Sequence, residues 1–190
     1  YLSYNRVIGT ALDVKLCTAF EVLDYALLSA PGAPLKKALL DAKIGKDIYG
    51  AFEDGIYQPY FSVIAKESDP AKNEQFQQII QDTLREIVRD GIDQKALEAG
   101  INFYEFRYRE ADYASFPKGL IYGLDILETW LYDEDRPFDA VQRLSVYDEL
   151  KKEKNTGYFE NLIQKYLLDN SHGSSLMLVP KKGLNKEREL

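Results

Sequence analysis

The side chains able to ligate a metal or to serve as nucleophile and base are few in this chain and far apart. Histidine occurs once, at His172, and cysteine once, at Cys17. A hydrolytic zinc centre needs two or three nitrogen, sulfur or carboxylate ligands around an ion that activates water. One histidine cannot supply a His-x-x-Glu-His or His-x-x-x-His spacing, so no zinc site is expected within these residues. His172 lies in Ser171-His172-Gly173, which reads as a turn before a strand. Cys17 falls on the flank of a helical pattern and reads as a small buried hydrophobe rather than a reactive thiol. A Ser–His–acid triad would have to use His172, and no serine sits in a Gly-x-Ser-x-Gly elbow. A Gly-rich phosphate loop is missing as well. Gly119 and Gly123 lie inside a helical pattern and read as packing positions.

Carboxylates are plentiful: 31 Asp and Glu face 24 Lys and Arg, a net charge of −7. Asp133-Glu134-Asp135 could attract a divalent cation, but no Gly-containing calcium-loop spacing follows. Its simpler role is to place negative charge at the N-terminus of the next helix. A metal-independent enzyme built on paired carboxylates has no spacing signal behind it. Glu105, Arg107, Arg109 and Glu110 alternate in sign along a helix and read as a solvated face. The 14 tyrosines read mainly as core and boundary packing, with a peptide-binding surface as a second use. Lys181, Lys182, Lys186 and Arg188 make a weakly basic tail, too short to imply a partner.

The same numbers bound the class. An acidic chain disfavours general nucleic-acid binding, which needs a clustered basic surface. No apolar run approaches the roughly 18 residues of a membrane helix. A lone cysteine cannot close an intrachain disulfide, which suits a reducing compartment; the expected setting is intracellular and cytoplasmic. No signal peptide is expected. The chain opens on Tyr1 rather than methionine, which suggests a piece of something longer.

The elements that must position these residues follow from period and punctuation. Leu2 to Ile8 reads as a strand closed by Gly9. Asp13 can cap a helix to about Leu28 with Leu16, Phe20, Leu23 and Leu27 as its stripe, and the Pro31 to Pro34 turn starts a shorter helix through Leu35, Leu39 and Leu40. Asp47 to Phe52 and Tyr57 to Ala65 read as a hairpin around Glu53-Asp54-Gly55, with Pro59 arguing for an edge strand or bulge. Asp69-Pro70 and Asp93 open two helices, the first carrying Phe76, Ile80, Leu84, Ile87 and Val88, the second Leu97, Ile101, Tyr104 and Tyr108. Phe116 to Phe138 reads as a buried amphipathic core helix, capped by Ser115, with Pro117 in its first turn and a stripe of Leu120, Leu124, Leu127 and Leu131 beside Trp130. Asp135 can cap a helix with Phe138, Val141, Leu144 and Tyr147. One more helix carries Tyr158, Leu162, Ile163, Tyr166 and Leu167. Ser174 to Val179 reads as a last strand. The order predicts an α+β domain over residues 1–180, a sheet with helices on one face, followed by a tail at 181–190.

Three stretches carry a family resemblance. Phe116-Pro117-x-Gly119-Leu120 followed by Trp130-Leu131-Tyr132-Asp133 and Pro137 resembles a segment of the pitrilysin-like (insulinase) zinc metallopeptidases, in their presequence-protease and falcilysin branch. Leu27 to Leu40 resembles that family's small-residue turn between helices, and Asn170 to Pro180 its closing strand. The resemblance implies four related domains in two halves that close around unfolded peptides, with zinc held by His-x-x-Glu-His in the first domain. This sequence lacks that motif and is most similar to the second, non-catalytic domain, so no site residues are carried over. The implied partners are the N-terminal zinc domain, the C-terminal half of the same parent and peptide substrates. The tail after Pro180 would then enter the hairpin joining the halves. The rival expectation is a non-enzymatic structural subunit on the same fold.

Overall fold

A computed structural model describes residues 1–184, Asp112 and Ala114 excepted. Its strands are β1 Leu2–Val7, β2 Asp47–Glu53, β3 Tyr60–Lys66 and β4 Gly173–Met177. They form one antiparallel sheet in the order β2-β3-β1-β4. Tyr4 in β1 stands opposite Val63 on one side and Ser175 on the other, so the first strand is interior and pairs with β4, which lies at the edge of the sheet. The helices are α1 Val14–Asp24, α2 Pro34–Asp41, α3 Asn73–Asp90, α4 Gln94–Glu110, α5 Lys118–Trp130, α6 Leu144–Glu153 and α7 Tyr158–Leu162. This is the mixed helix-and-sheet layer that the element order implies.

Strand alternation decides which face the helices cover. Leu2, Tyr4, Ile48, Phe61, Val63 and Ala65 share one parity and are buried. Neighbours of the other parity, such as Ser3, Asn5, Tyr49 and Ile64, stay partly or fully exposed. The centre of the covered layer is α1. Asp13 caps it, its carboxylate accepting from the Leu16 N–H at 3.0 Å. Leu16, Cys17, Thr18, Ala19, Phe20, Val22 and Leu23 are all buried, the pattern of a helix enclosed nearly all round. It runs on as a π turn, Tyr25–Ser29, and a second π turn, Ile163–Leu168, follows α7. The end of α1 lies so close to β2 that a Cβ at Gly50 would meet Asp24 Oδ1 at 2.1 Å and Leu28 Cδ1 at 2.5 Å. Only glycine fits there.

Several expectations need correction. The loop between β2 and β3 runs from 54 to 59, longer than a tight turn, and β3 is an interior strand. Pro59 stands just before it, so its missing N–H never meets a ladder, and its carbonyl accepts from Ile8 at 2.7 Å. Ser115 does not cap α5; Pro117 occupies the N-cap position and no side chain caps there. Asp135 does not cap the following helix either. A short 3-10 turn, Asp139–Val141, intervenes, and Arg143 precedes α6.

The largest correction concerns α5, which is a helix but not a core helix. Leu120, Leu124, Leu127 and Trp130 are 51%, 51%, 37% and 52% exposed, and Leu131 just beyond is 68% exposed. Thr129 is its one buried residue, its hydroxyl donating to the Arg136 carbonyl at 2.6 Å. The stripe was legible, but a stripe specifies that something covers it, not that the same chain does. Gly119 and Gly123 follow suit: a Cβ at either would meet nothing within 4 Å. They are not packing positions among the described residues. Gly123→Ala is therefore expected to stabilise α5 locally by about 1 kcal/mol, the helix-propensity difference. Amide exchange within α5 should slow by about fivefold; unchanged or faster exchange would contradict this.

Candidate functional site

His172 and Cys17 are not brought together for chemistry. His172 is exposed before β4, its N–H donating to Asn170 Oδ1 at 2.8 Å and its carbonyl accepting from the Val7 N–H. Cys17 is 3% exposed and its Sγ lies 3.8 Å from the Thr10 carbonyl. Burial pushes its thiol up to about 12, with the Asp54 charge adding to the effect. Such a thiol stays protonated at neutral pH and is a poor ligand and nucleophile. Among the described residues no three of His, Cys, Asp and Glu are placed to share an ion. The donor set does not fit zinc.

What the fold does assemble is a charged cluster under α5. Arg143 extends into a cavity of about 660 Å³ whose walls include Tyr104, Tyr108, Tyr147 and Asp125. Its Nη2 lies 2.9 Å from Glu128 of α5 and 3.8 Å from Asp54 of the β2–β3 loop. Its Nη1 lies 3.4 Å from Glu21 of α1, and its Nε donates to the Ala140 carbonyl at 2.7 Å. One guanidinium, 12% exposed, thus ties three elements to the start of α6. Three carboxylates around one cation leave excess negative charge in a poorly solvated place. Desolvation, opposed in part by Arg143, pushes Glu21 up to about 7 and Glu128 up to about 8. Asp125 is raised too, again chiefly by burial.

These shifts fix a pH dependence. Both carboxyls hold a proton more tightly folded than unfolded, so their stabilising contribution is complete below the ordinary glutamate value. It is lost as pH rises through about 7 to 8. The melting temperature is expected to fall between roughly pH 5 and pH 9, and Glu128→Gln should flatten the upper part of that fall. An identical slope in wild type and variant would contradict the assignment.

The uncovered sheet face carries a second polar arrangement. Asn5 Oδ1 accepts from Ser3 Oγ at 2.8 Å and Ser62 Oγ at 2.6 Å, while its Nδ2 donates to Ser174 Oγ at 3.2 Å. Side chains of β3, β1 and β4 are thereby linked across the open face. Glu105 departs from the expected solvated face of α4. It is 8% exposed, bonded to Arg109 at 2.7 Å and to Lys151 of α6 at 2.5 Å. Lys151 and Arg109 hold its carboxyl below the usual range against the opposing effect of burial. No periodicity could show this, because Lys151 lies 46 residues away on another helix.

The chain matches no family model. It is 43% identical over 188 residues to Protein HypA of Clostridium perfringens, covering 99% of this chain and 19% of that one. It is 32% identical over 174 residues to presequence protease 1, chloroplastic/mitochondrial, of Arabidopsis thaliana, covering 89% of this chain and 16% of that one. The chain thus spans about a fifth of the length of these curated relatives. Among solved structures, a Bordetella parapertussis chain described as an inactive peptidase domain superposes with a TM-score of 0.73 at 16% identity, covering 95% of this chain and 92% of that one. A peptidase inactive domain from Pseudomonas fluorescens gives 0.58 at 15% identity, covering 95% and 41%. By sequence the chain is a relative of the presequence proteases, a fragment corresponding to one segment of them, with the fold of the inactive domains of insulinase-like zinc proteases.

Proposed function

We propose that this chain is the second, non-catalytic domain of a zinc metalloendopeptidase that degrades unfolded peptides inside a closed chamber. Its work there is mechanical: it supports the zinc domain and forms part of the chamber wall. The observation that carries this reading is the match of nearly the whole chain to one segment of much longer presequence proteases. The fold of inactive peptidase domains supports it. So does the composition, since one histidine leaves the hydrolytic zinc motif to another part of the parent. The open sheet face, where serines cross-linked through Asn5 lie among exposed Tyr49 and Leu176, is the surface we assign to the chamber interior, because mixed hydroxyl and apolar groups suit peptides of varied sequence. Lys181 to Leu190 would lead toward the connecting hairpin; residues 185–190 lie outside the described residues.

Metal analysis and a peptidase assay on the purified chain test this reading. It is expected to carry no stoichiometric zinc and to cleave no unfolded peptide. One zinc per chain, or cleavage by the chain alone, would overturn it. The parent reading frame discriminates the structural-subunit alternative: an upstream His-x-x-Glu-His is expected, and its absence favours the scaffold.

A further inference from the structure

We propose that the outward face of α5 is the seat of another domain of the same polypeptide, one that presents an apolar surface able to reach the α5 backbone. At about 100° per residue, Gly119, Leu120, Gly123, Leu124, Leu127 and Trp130 fall within one arc of roughly 140°. The four large side chains are each more than a third exposed. The orientation is built rather than accidental: Glu128 on the flank of the stripe is held on Arg143 at 2.9 Å, and Thr129 on the opposite side donates to the Arg136 carbonyl. Turning the leucines inward would break both.

The patch extends beyond the helix. Tyr132 packs on Tyr57 with ring centroids 4.9 Å apart, and Ile56 and Phe138 are 47% and 55% exposed. An apolar surface of this breadth, rimmed by Asp133, Glu134 and Asp135, marks an interaction site rather than ordinary surface.

The two glycines give independent support. Glycine inside a helix weakens it and calls for a packing reason, and nothing among the described residues comes within 4 Å of a Cβ at either. A smooth groove at Gly119 and Gly123 lets a facing backbone approach closely.

The occupant follows from chain length. Relatives at 43% and 32% identity hold this segment within chains about five to six times longer. A covalently attached neighbour sits at high effective concentration and needs no further partner to cover the face. The proposal rests on the multidomain reading above and adds the contact surface.

Thiol alkylation in the full-length parent tests it, read by mass spectrometry of the modified peptides. Leu124→Cys and Leu131→Cys on the proposed seat are compared with Glu86→Cys on the exposed side of α3. Cys17 is buried and contributes little background. Both seat cysteines are expected to react at least about tenfold more slowly than the α3 cysteine, as burial in an interface requires. Rates equal to the α3 cysteine at both positions would overturn the proposal. Protection that disappears on dilution to monomeric parent would assign the face to a second copy and overturn it equally. A parent without bound zinc would sink the peptidase reading while leaving the alkylation result interpretable. Fast alkylation in a zinc-loaded parent would sink the interface alone.

Discussion

Arg143→Ala is expected to destabilise the domain by about 3–5 kcal/mol, the cost of removing one partner from a buried ion cluster. Glu21, Asp54 and Glu128 would be left facing one another without a cation. The Ala140 carbonyl would lose its donor as well. The loss should grow with pH, because the variant's carboxyls must either keep protons or repel. Below about pH 7 Glu21 and Glu128 hold protons with or without Arg143 and the penalty is smallest; it grows as pH rises through about 8, where wild type can ionise them against Arg143 and the variant cannot. Chemical denaturation at three pH values reads this directly. A penalty under about 1 kcal/mol, or one independent of pH, would show that the cluster does not hold α5 and the β2–β3 loop to the body. Arg143→Lys should recover only part of the loss, since an ammonium cannot address Glu128, Glu21 and the Ala140 carbonyl with one fixed fork.

Phe20→Ala is expected to cost a similar amount, about 3–5 kcal/mol, by a different cause. Phe20 is fully buried on α1, stacked on Phe52 at 5.8 Å and edge-on to Phe61 at 6.2 Å and Tyr166 at 5.8 Å. Its ring therefore joins α1, both strands of the hairpin and the π turn after α7. Truncation leaves a cavity whose walls belong to four elements and cannot all relax inward. Phe106→Ala, at a ring 63% exposed, should stay within about 0.5 kcal/mol. Equal effects at the two positions would mean that the core is not centred on α1. This loss should be insensitive to pH, which separates it from the Arg143 variant.

Local signals in the sequence were read well because their causes are local. Asp13 and Asp93 cap where their spacing placed them, each carboxylate accepting from N–H groups two or three residues on. Asp69 likewise caps, though into a 3-10 turn, Pro70–Lys72, that leads into α3. The strands formed near where β-prone runs and turn residues placed them, and helices cover one face of their sheet as the element order implied. The misreadings share a cause, which is that the deciding group is distant. Ser115 and Asp135 offered capping chemistry that turn geometry did not use. The face of α5 was visible, but its direction depends on Glu128 meeting Arg143 and on a surface contributed from outside. The Arg143 cluster draws on positions 21, 54, 128 and 143, which no motif connects. Its only advance sign was a carboxylate set inside an apolar helical pattern, at Glu21 and again at Glu128. Glu105 is a third case of the same kind, buried by a lysine that sequence proximity could not supply.

The central claim is that this chain supports peptide hydrolysis without performing it. The measurement that tests it most directly is cleavage of an unfolded peptide by the zinc-bearing first domain of the same parent, assayed with and without this chain. The account predicts cleavage only when both are present, lost on chelation, with zinc bound by the first domain alone. Full cleavage by the first domain without this chain, or cleavage by this chain without the first domain, would contradict it.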